Sequence, residues 1–290
     1  MVKNFMKKKE IIILSAKIIA TVFLFYYANK TINFSQFPKI DNIVSVFFIA
    51  AAFGFLQQFL LFCRWLFSVR ILGISCGIKS VIKSYFIGQF LGTVSPARSG
   101  DLAKIFYLEN TPKKLGLYAI FLDSAVALTT LFVTGLWKIY PKTDENAIQI
   151  IDKMLNVAGI IGIAGIIVLV IILRKQNFAK LFSLFSISLL QHIVLIVQGA
   201  LIFSILLPIS FLQASFAVAS AYCIMPLVPV TVAAIGIREF SLSLLISVFV
   251  FDKNIEHTVF VAAYILLLCN SVIFMIPGIF LFYFKGKKGT

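Results

Sequence analysis

Long apolar runs alternate with short basic stretches along almost the whole chain. Runs of spanning length occur at residues 11–28, 43–63, 115–137, 154–173, 181–207, 232–251 and 258–284. About 20 helical residues cross roughly 30 Å of hydrocarbon. Two shorter runs, 81–94 and 211–225, reach only about 20–22 Å as helices. Each leads into a polar cassette, which predicts half-helices or re-entrant arms. The pattern predicts an all-α, polytopic integral membrane protein of about six to eight transmembrane helices. Two of its elements would be broken, within a single transmembrane domain over 1–290.

Composition agrees. The chain is 61% hydrophobic and 13% charged, about half the charged fraction of a soluble domain. Its net charge of +15 would suit nucleic acid, but the basic residues sit in short loops and at the ends. With the amino terminus inside, the inner segments carry 18 Lys and Arg and the outer ones 6. That distribution predicts a cytoplasmic (inner) membrane protein with both termini cytoplasmic. It holds only if 81–94 dips in and returns to the same side. Anionic lipid head groups are then the expected contacts of the basic rim, and nucleic acid is not expected. The charged start, with Lys3, Lys7, Lys8 and Lys9, reads as the flank of a retained first span, since no small-x-small cleavage pattern follows.

The cassettes hold the candidate chemistry. The first runs Ser95-Pro96-Ala97-Arg98-Ser99-Gly100-Asp101-Leu102-Ala103-Lys104, the second from Pro229 to Gly236-Ile237-Arg238-Glu239. Proline and glycine break helices, which a membrane tolerates only where protein or water covers the freed backbone. Charge at such depth is costly and usually functional. Arg98, Asp101 and Lys104 follow one another at three-residue steps and share one helix face, so Asp101 can pair with either cation. A helix starting near Pro96 would offer its free N–H groups to an anion such as a phosphate. Arg238 and Glu239 point about 100° apart, and each needs its own partner. Asp101 or Asp123 would serve Arg238, and Arg98 or Lys104 would serve Glu239, tying the two breaks into one ionic seam.

The first break would open from inside and the second from outside, as inverted repeats produce. The halves would be 43–173 and 181–284.

Asp123 lies inside a span. It is either a proton-coupling carboxylate or the structural partner of a nearby arginine. Arg64, Trp65 and Arg70 are expected at the inner end of the second span as interfacial anchors, with Arg64 also able to meet a lipid phosphate. Gln57, Gln58, Gln89, Gln191, His192, Gln198 and Asn270 are expected to form hydrogen bonds between helices. Cys63, Cys76, Cys223 and Cys269 have no metal-site spacing and are expected as buried apolar thiols. No metal or cofactor is expected.

These residues carry a family resemblance. Arg64-Trp65, then Leu72-Gly73, Tyr85-x-x-Gly88-Gln89-Phe90, Pro96-x-Arg98-x-Gly100-Asp101-x-x-Lys104, Pro229 and Gly236-x-Arg238-Glu239 resemble the transmembrane domain of lysylphosphatidylglycerol synthases. That domain is the flippase part of the multiple peptide resistance factor and also occurs in stand-alone membrane proteins. The resemblance runs from about residue 10 to 284. Lys104 stands where the family often has Arg, and Ala233-Ala234-Ile235 where it has a denser glycine cluster. The soluble aminoacyl-transfer domain is not recognised in the chain. The resemblance therefore implies lipid translocation or handling rather than aminoacylation.

The expected function is movement of a phospholipid or lipid-linked head group. Arg98, Lys104, Arg238 and Arg64 would attract phosphate, with Asp101, Asp123 and Glu239 holding those cations or meeting an amino head group. A membrane-embedded lipid transferase or phosphatase using the carboxylates is the alternative, and a non-catalytic member of a lipid or glycan assembly complex is the third. Association with further copies of the chain, as a homo-oligomer, stays open.

Overall fold

The structure is a computed structural model, which describes residues 40–95, 99–134, 145–172, 178–225, 237–247, 249 and 255–283. The first predicted span, 11–28, lies outside them. The described residues form α1 (Ile40–Ile71), α2 (Ile78–Val94), a 3-10 helix (Ser99–Tyr107), α3 (Lys113–Thr134) and α4 (Glu145–Ile172). After these come α5 (Phe178–Leu206), α6 (Phe211–Ile224), α7 (Ile237–Ser247), α8 (Ile255–Leu267), a π-helical turn (Leu268–Val272) and α9 (Ile273–Tyr283).

Four described helical rods are long and apolar enough to cross a membrane: Ile43–Ile71, Lys113–Thr134, Phe178–Leu206 and Thr258–Tyr283. The last joins α8 and α9 through the π turn. Leu155–Ile171 and Phe211–Cys223 are shorter apolar helices. The chain is thus an all-helical, multi-pass membrane protein. Of the predicted span 232–251, the described helix is Ile237–Ser247, about 16 Å long and too short to cross alone.

The long α1 packs chiefly on α5, α3 on α4 and α5, and α9 on α2. The largest apolar cluster joins α5, α6, α7 and α8 around Phe203, Phe216, Leu242 and Leu266. A second gathers α1, α2 and α3 around Trp65, Tyr85 and Ala119. Phe48, Phe55 and Phe59 on α1 and Ile160, Ile167 and Ile171 on α4 stand exposed. Where lipid replaces water, such faces need no protein cover.

One boundary departs from the sequence expectation. The second span does not stop at Cys63. Leu66, Phe67, Ser68 and Val69 continue the helix to Ile71, because Arg64 finds a buried partner and need not mark an interface.

Candidate functional site

The first predicted break is an antiparallel helical hairpin. The turn is closed by Ser95, whose hydroxyl accepts from the Gly100 N–H at 2.6 Å and donates to the Gly92 carbonyl at 3.3 Å. The 3-10 helix then runs back along α2. At the base, the Ser80 hydroxyl donates to the Tyr107 carbonyl at 2.7 Å and accepts from the Glu109 N–H at 2.8 Å. The two ends of the hairpin therefore meet, as they must if the segment enters and leaves on one side. Segment 81–94 was expected to dip in and return; in the structure α2 is followed by a 3-10 helix that packs back along it.

Glycines allow the close approach. A Cβ on Gly100 would strike the Leu91 carbonyl, and one on Gly92 would lie 2.8 Å from the Asp101 carboxylate. On Gly88 it would run into the stem of Lys104. Gly88 and Gly92 form the small-x-x-x-small spacing that lets membrane helices touch. A 3-10 run of nine residues is unusually long. Its three-residue repeat eclipses residues at that spacing, which sets Asp101 and Lys104 on the face turned toward α2.

There Lys104 Nζ lies 3.2 Å from Asp101 Oδ1 and 4.9 Å from the centre of the Trp65 ring. Lys104 is only 5% exposed. Trp65 is completely buried, and its Nε1–H donates to the Ser84 hydroxyl at 3.0 Å. The ammonium is thus held by a carboxylate and an aromatic face away from water, where cation–π attraction counts most.

A second ionic cluster lies on the other side of α1. Arg64 Nε donates to Asp123 Oδ1 at 2.9 Å, its Nη2 approaches Asp123 Oδ2 at 3.4 Å, and its Nη1 donates to Gln191 Oε1 at 2.9 Å. Asp123 sits halfway along α3. The fork satisfies both carboxylate oxygens. Beside it, the His192 Nδ1–H donates to the Ser188 carbonyl at 2.8 Å. Thr130 Oγ1 lies 2.7 Å from the Ser188 hydroxyl. Arg64 is therefore buried within the bundle, which corrects its reading as an interfacial anchor.

A third, uncharged layer links α1, α2, α5 and the π turn. Tyr85 donates to Gln58 Oε1 at 2.6 Å, and Gln58 donates to the Asn270 carbonyl. Gln198 and Asn270 exchange two hydrogen bonds of 2.9 Å. The helix-to-helix role expected of these polar residues holds for Gln58, Gln191, Gln198 and Asn270.

Both described carboxylates of the predicted seam are therefore engaged by cations of the same half, Asp101 by Lys104 and Asp123 by Arg64. Arg238 is buried near the start of α7. Arg98, residues 226–236 and the side chain of Glu239 lie outside the described residues, and the expected pairs that involve them lie outside with them. The 3-10 helix packs on α2 and α3, whereas α7 packs on α6 and α8. The contact of Lys104 with Trp65 was missed in the sequence. The available signal was Gly88 and Gly92, four residues apart, ahead of Asp101 and Lys104, three residues apart.

Among the described residues no group of three or more His, Cys, Asp or Glu is placed to hold a metal ion. No curated protein matches the chain. Residues 12–180 match the Lysylphosphatidylglycerol synthase TM region, a stretch that contains the hairpin, Lys104–Asp101 and Arg64–Asp123 but not the second cassette. Since that match spans more than half of the 290 residues, the chain belongs to the Lysylphosphatidylglycerol synthase TM region family.

Proposed function

We propose that the protein translocates phospholipid or a lipid-linked phosphate head group across the cytoplasmic membrane, and that the α2 hairpin carries the head-group site. The observation that supports this most is Lys104, a buried ammonium on the α2 hairpin, held by Asp101 and Trp65. A phosphate is the natural substitute for Asp101, since both are anionic oxygen acceptors. A lipid needs a polar path only for its head, because its tails stay in hydrocarbon. Binding to two alternating states then moves the head across. Arg64, Asp123 and Arg238 add buried charge, with Arg98 and Glu239 as their counterparts in the cassettes. Both termini are cytoplasmic in this proposal, and the crossings number about six to eight.

The test is reconstitution. Purified protein in vesicles of phosphatidylglycerol and phosphatidylethanolamine should carry head-labelled phosphatidylglycerol between leaflets faster than protein-free vesicles. The lipid should be recovered chemically unchanged. A modified lipid product would favour the transferase or phosphatase alternative, and unchanged leaflet exchange would remove the proposal.

A further inference from the structure

The base of the α2 hairpin gathers positive charge that the neighbouring residues do not balance. Two spanning rods, Ile43–Ile71 and Lys113–Thr134, have an end here. Val69, Ile74, Val81 and Leu108 belong to one apolar cluster, and a Cβ on Gly116 would lie 3.1 Å from Ile105. The end of α1, the start of α2, the end of the 3-10 helix and the start of α3 therefore meet at one level, where the two rods leave the hydrocarbon. Arg70, Lys79, Lys83, Lys113 and Lys114 stand at these ends. The acids of residues 70–118 are Asp101, which Lys104 engages, and Glu109. Neither α2 nor α3 has an acid in its first turn, where one would offset the positive end of the helix. Lys79 and Lys83 share one face of α2 at a four-residue step, and like charges so placed repel.

The charge is held among apolar groups. Lys83 Nζ lies 4.8 Å from the centre of the Tyr107 ring, and Lys114 Nζ lies 5.9 Å from that of Tyr118. Ile78 and Ile82 on α2 and Leu117 on α3 stand exposed beside these lysines. Bare aliphatic side chains next to unbalanced ammonium groups suit the boundary of a bilayer better than an acidic protein surface. There the lipid tails cover the first and the phosphates meet the second.

We infer that the base of the hairpin binds the phosphate of an anionic phospholipid through Lys79 and Lys83, with Ile78 and Ile82 against its acyl chains. Lys113, Lys114 and Arg70 add to the attracting potential. The site is separate from Lys104. Tyr107, under Lys83, lies three residues further along the 3-10 helix, about 6 Å at 2 Å per residue. It needs no transport, so it stands whether or not the protein moves lipid.

Native mass spectrometry of the full chain in a neutral detergent tests this. The probes are phosphatidylglycerol and phosphatidylcholine with the same acyl chains. Wild type is expected to retain phosphatidylglycerol in preference to phosphatidylcholine. Lys79→Gln with Lys83→Gln should weaken phosphatidylglycerol binding at least about tenfold. Lys79→Arg with Lys83→Arg should restore it, since the charge is kept. Lys153→Gln, at an exposed position on α4, should leave it unchanged. If the double glutamine variant does not fold, Lys79→Gln alone should still weaken binding, because Lys79 is exposed. Equal retention of the two lipids by wild type overturns the site. Undiminished binding in the glutamine variants, or an equal loss in Lys153→Gln, overturns it too. Displacement of the bound lipid by glycerol phosphate or by polyglutamate at matched charge overturns a lipid as the occupant. Leaflet exchange on the same protein separates the two readings. Binding without exchange would remove the proposed function alone, and exchange without binding would remove this site alone.

Discussion

Arg64 and Trp65 are neighbours on α1 that serve opposite clusters. Successive helical residues diverge by about 100°, so Arg64 reaches Asp123 on α3 and Gln191 on α5, while Trp65 reaches Ser84 on α2 and the ammonium of Lys104. One turn of one helix therefore joins the core bundle to the α2 hairpin.

Removing one member of the Arg64–Asp123 pair strands a buried charge. Arg64→Ala alone and Asp123→Ala alone should each lower stability by about 3–5 kcal/mol. Replacing both by apolar residues, as Arg64→Met with Asp123→Leu, should recover most of that loss. Thermal melts of the four proteins in one detergent measure the coupling. A loss in the double variant equal to the sum of the two single losses would mean that the residues act separately.

The hairpin's glycines should differ according to what a methyl group meets. Gly100→Ala drives a Cβ into the backbone of Leu91, and Gly88→Ala drives one into the stem of Lys104, whereas Gly77 has nothing within 4 Å. Overpacking of this kind costs about 1–3 kcal/mol. The expected order of melting temperature is Gly77→Ala near wild type, then Gly88→Ala, then Gly100→Ala lowest.

Trp65→Phe keeps the ring but removes the Nε1–H that Ser84 accepts and leaves a weaker face for Lys104. A loss of about 1–2 kcal/mol is expected. Ser84→Ala in the phenylalanine background should add little more, because the shared hydrogen bond is already gone. A double-mutant cycle on thermal stability reads this directly.

Gln198→Leu takes away both hydrogen bonds to Asn270 and leaves that amide in the bundle. Side-chain hydrogen bonds inside membrane proteins average about 0.6 kcal/mol and reach about 1.7 kcal/mol. A loss in that range is expected. Asn270→Leu added to it should be nearly neutral by the same melt.

Much of this architecture is legible in the chain. Apolar run length found α3 and α5 to within a few residues, and the proline and glycine of the first cassette foretold a reversal after α2. Arg64 was harder to place. A charge after an apolar run looks like a helix end, and only its pairing with Asp123, 59 positions away, explains why α1 continues. Lys104 was read both as a partner for Asp101, which it is, and as a cation for the second cassette. Its seat over Trp65 depends on how closely two backbones approach, and that distance is set by Gly88, Gly92 and Gly100 together. Of the second cassette, the described part begins at Ile237, and it places Arg238 buried at the start of α7.

The direct measurement is leaflet exchange of head-labelled phosphatidylglycerol in vesicles holding equal amounts of folded wild type, Lys104→Gln and Phe106→Ala. Phe106 shares the 3-10 helix but is 71% exposed. Wild type and Phe106→Ala should exchange lipid at similar rates, and Lys104→Gln should fall at least about tenfold, the effect of about 1.4 kcal/mol on a barrier. Wild-type rates in Lys104→Gln would contradict a head-group site on the hairpin.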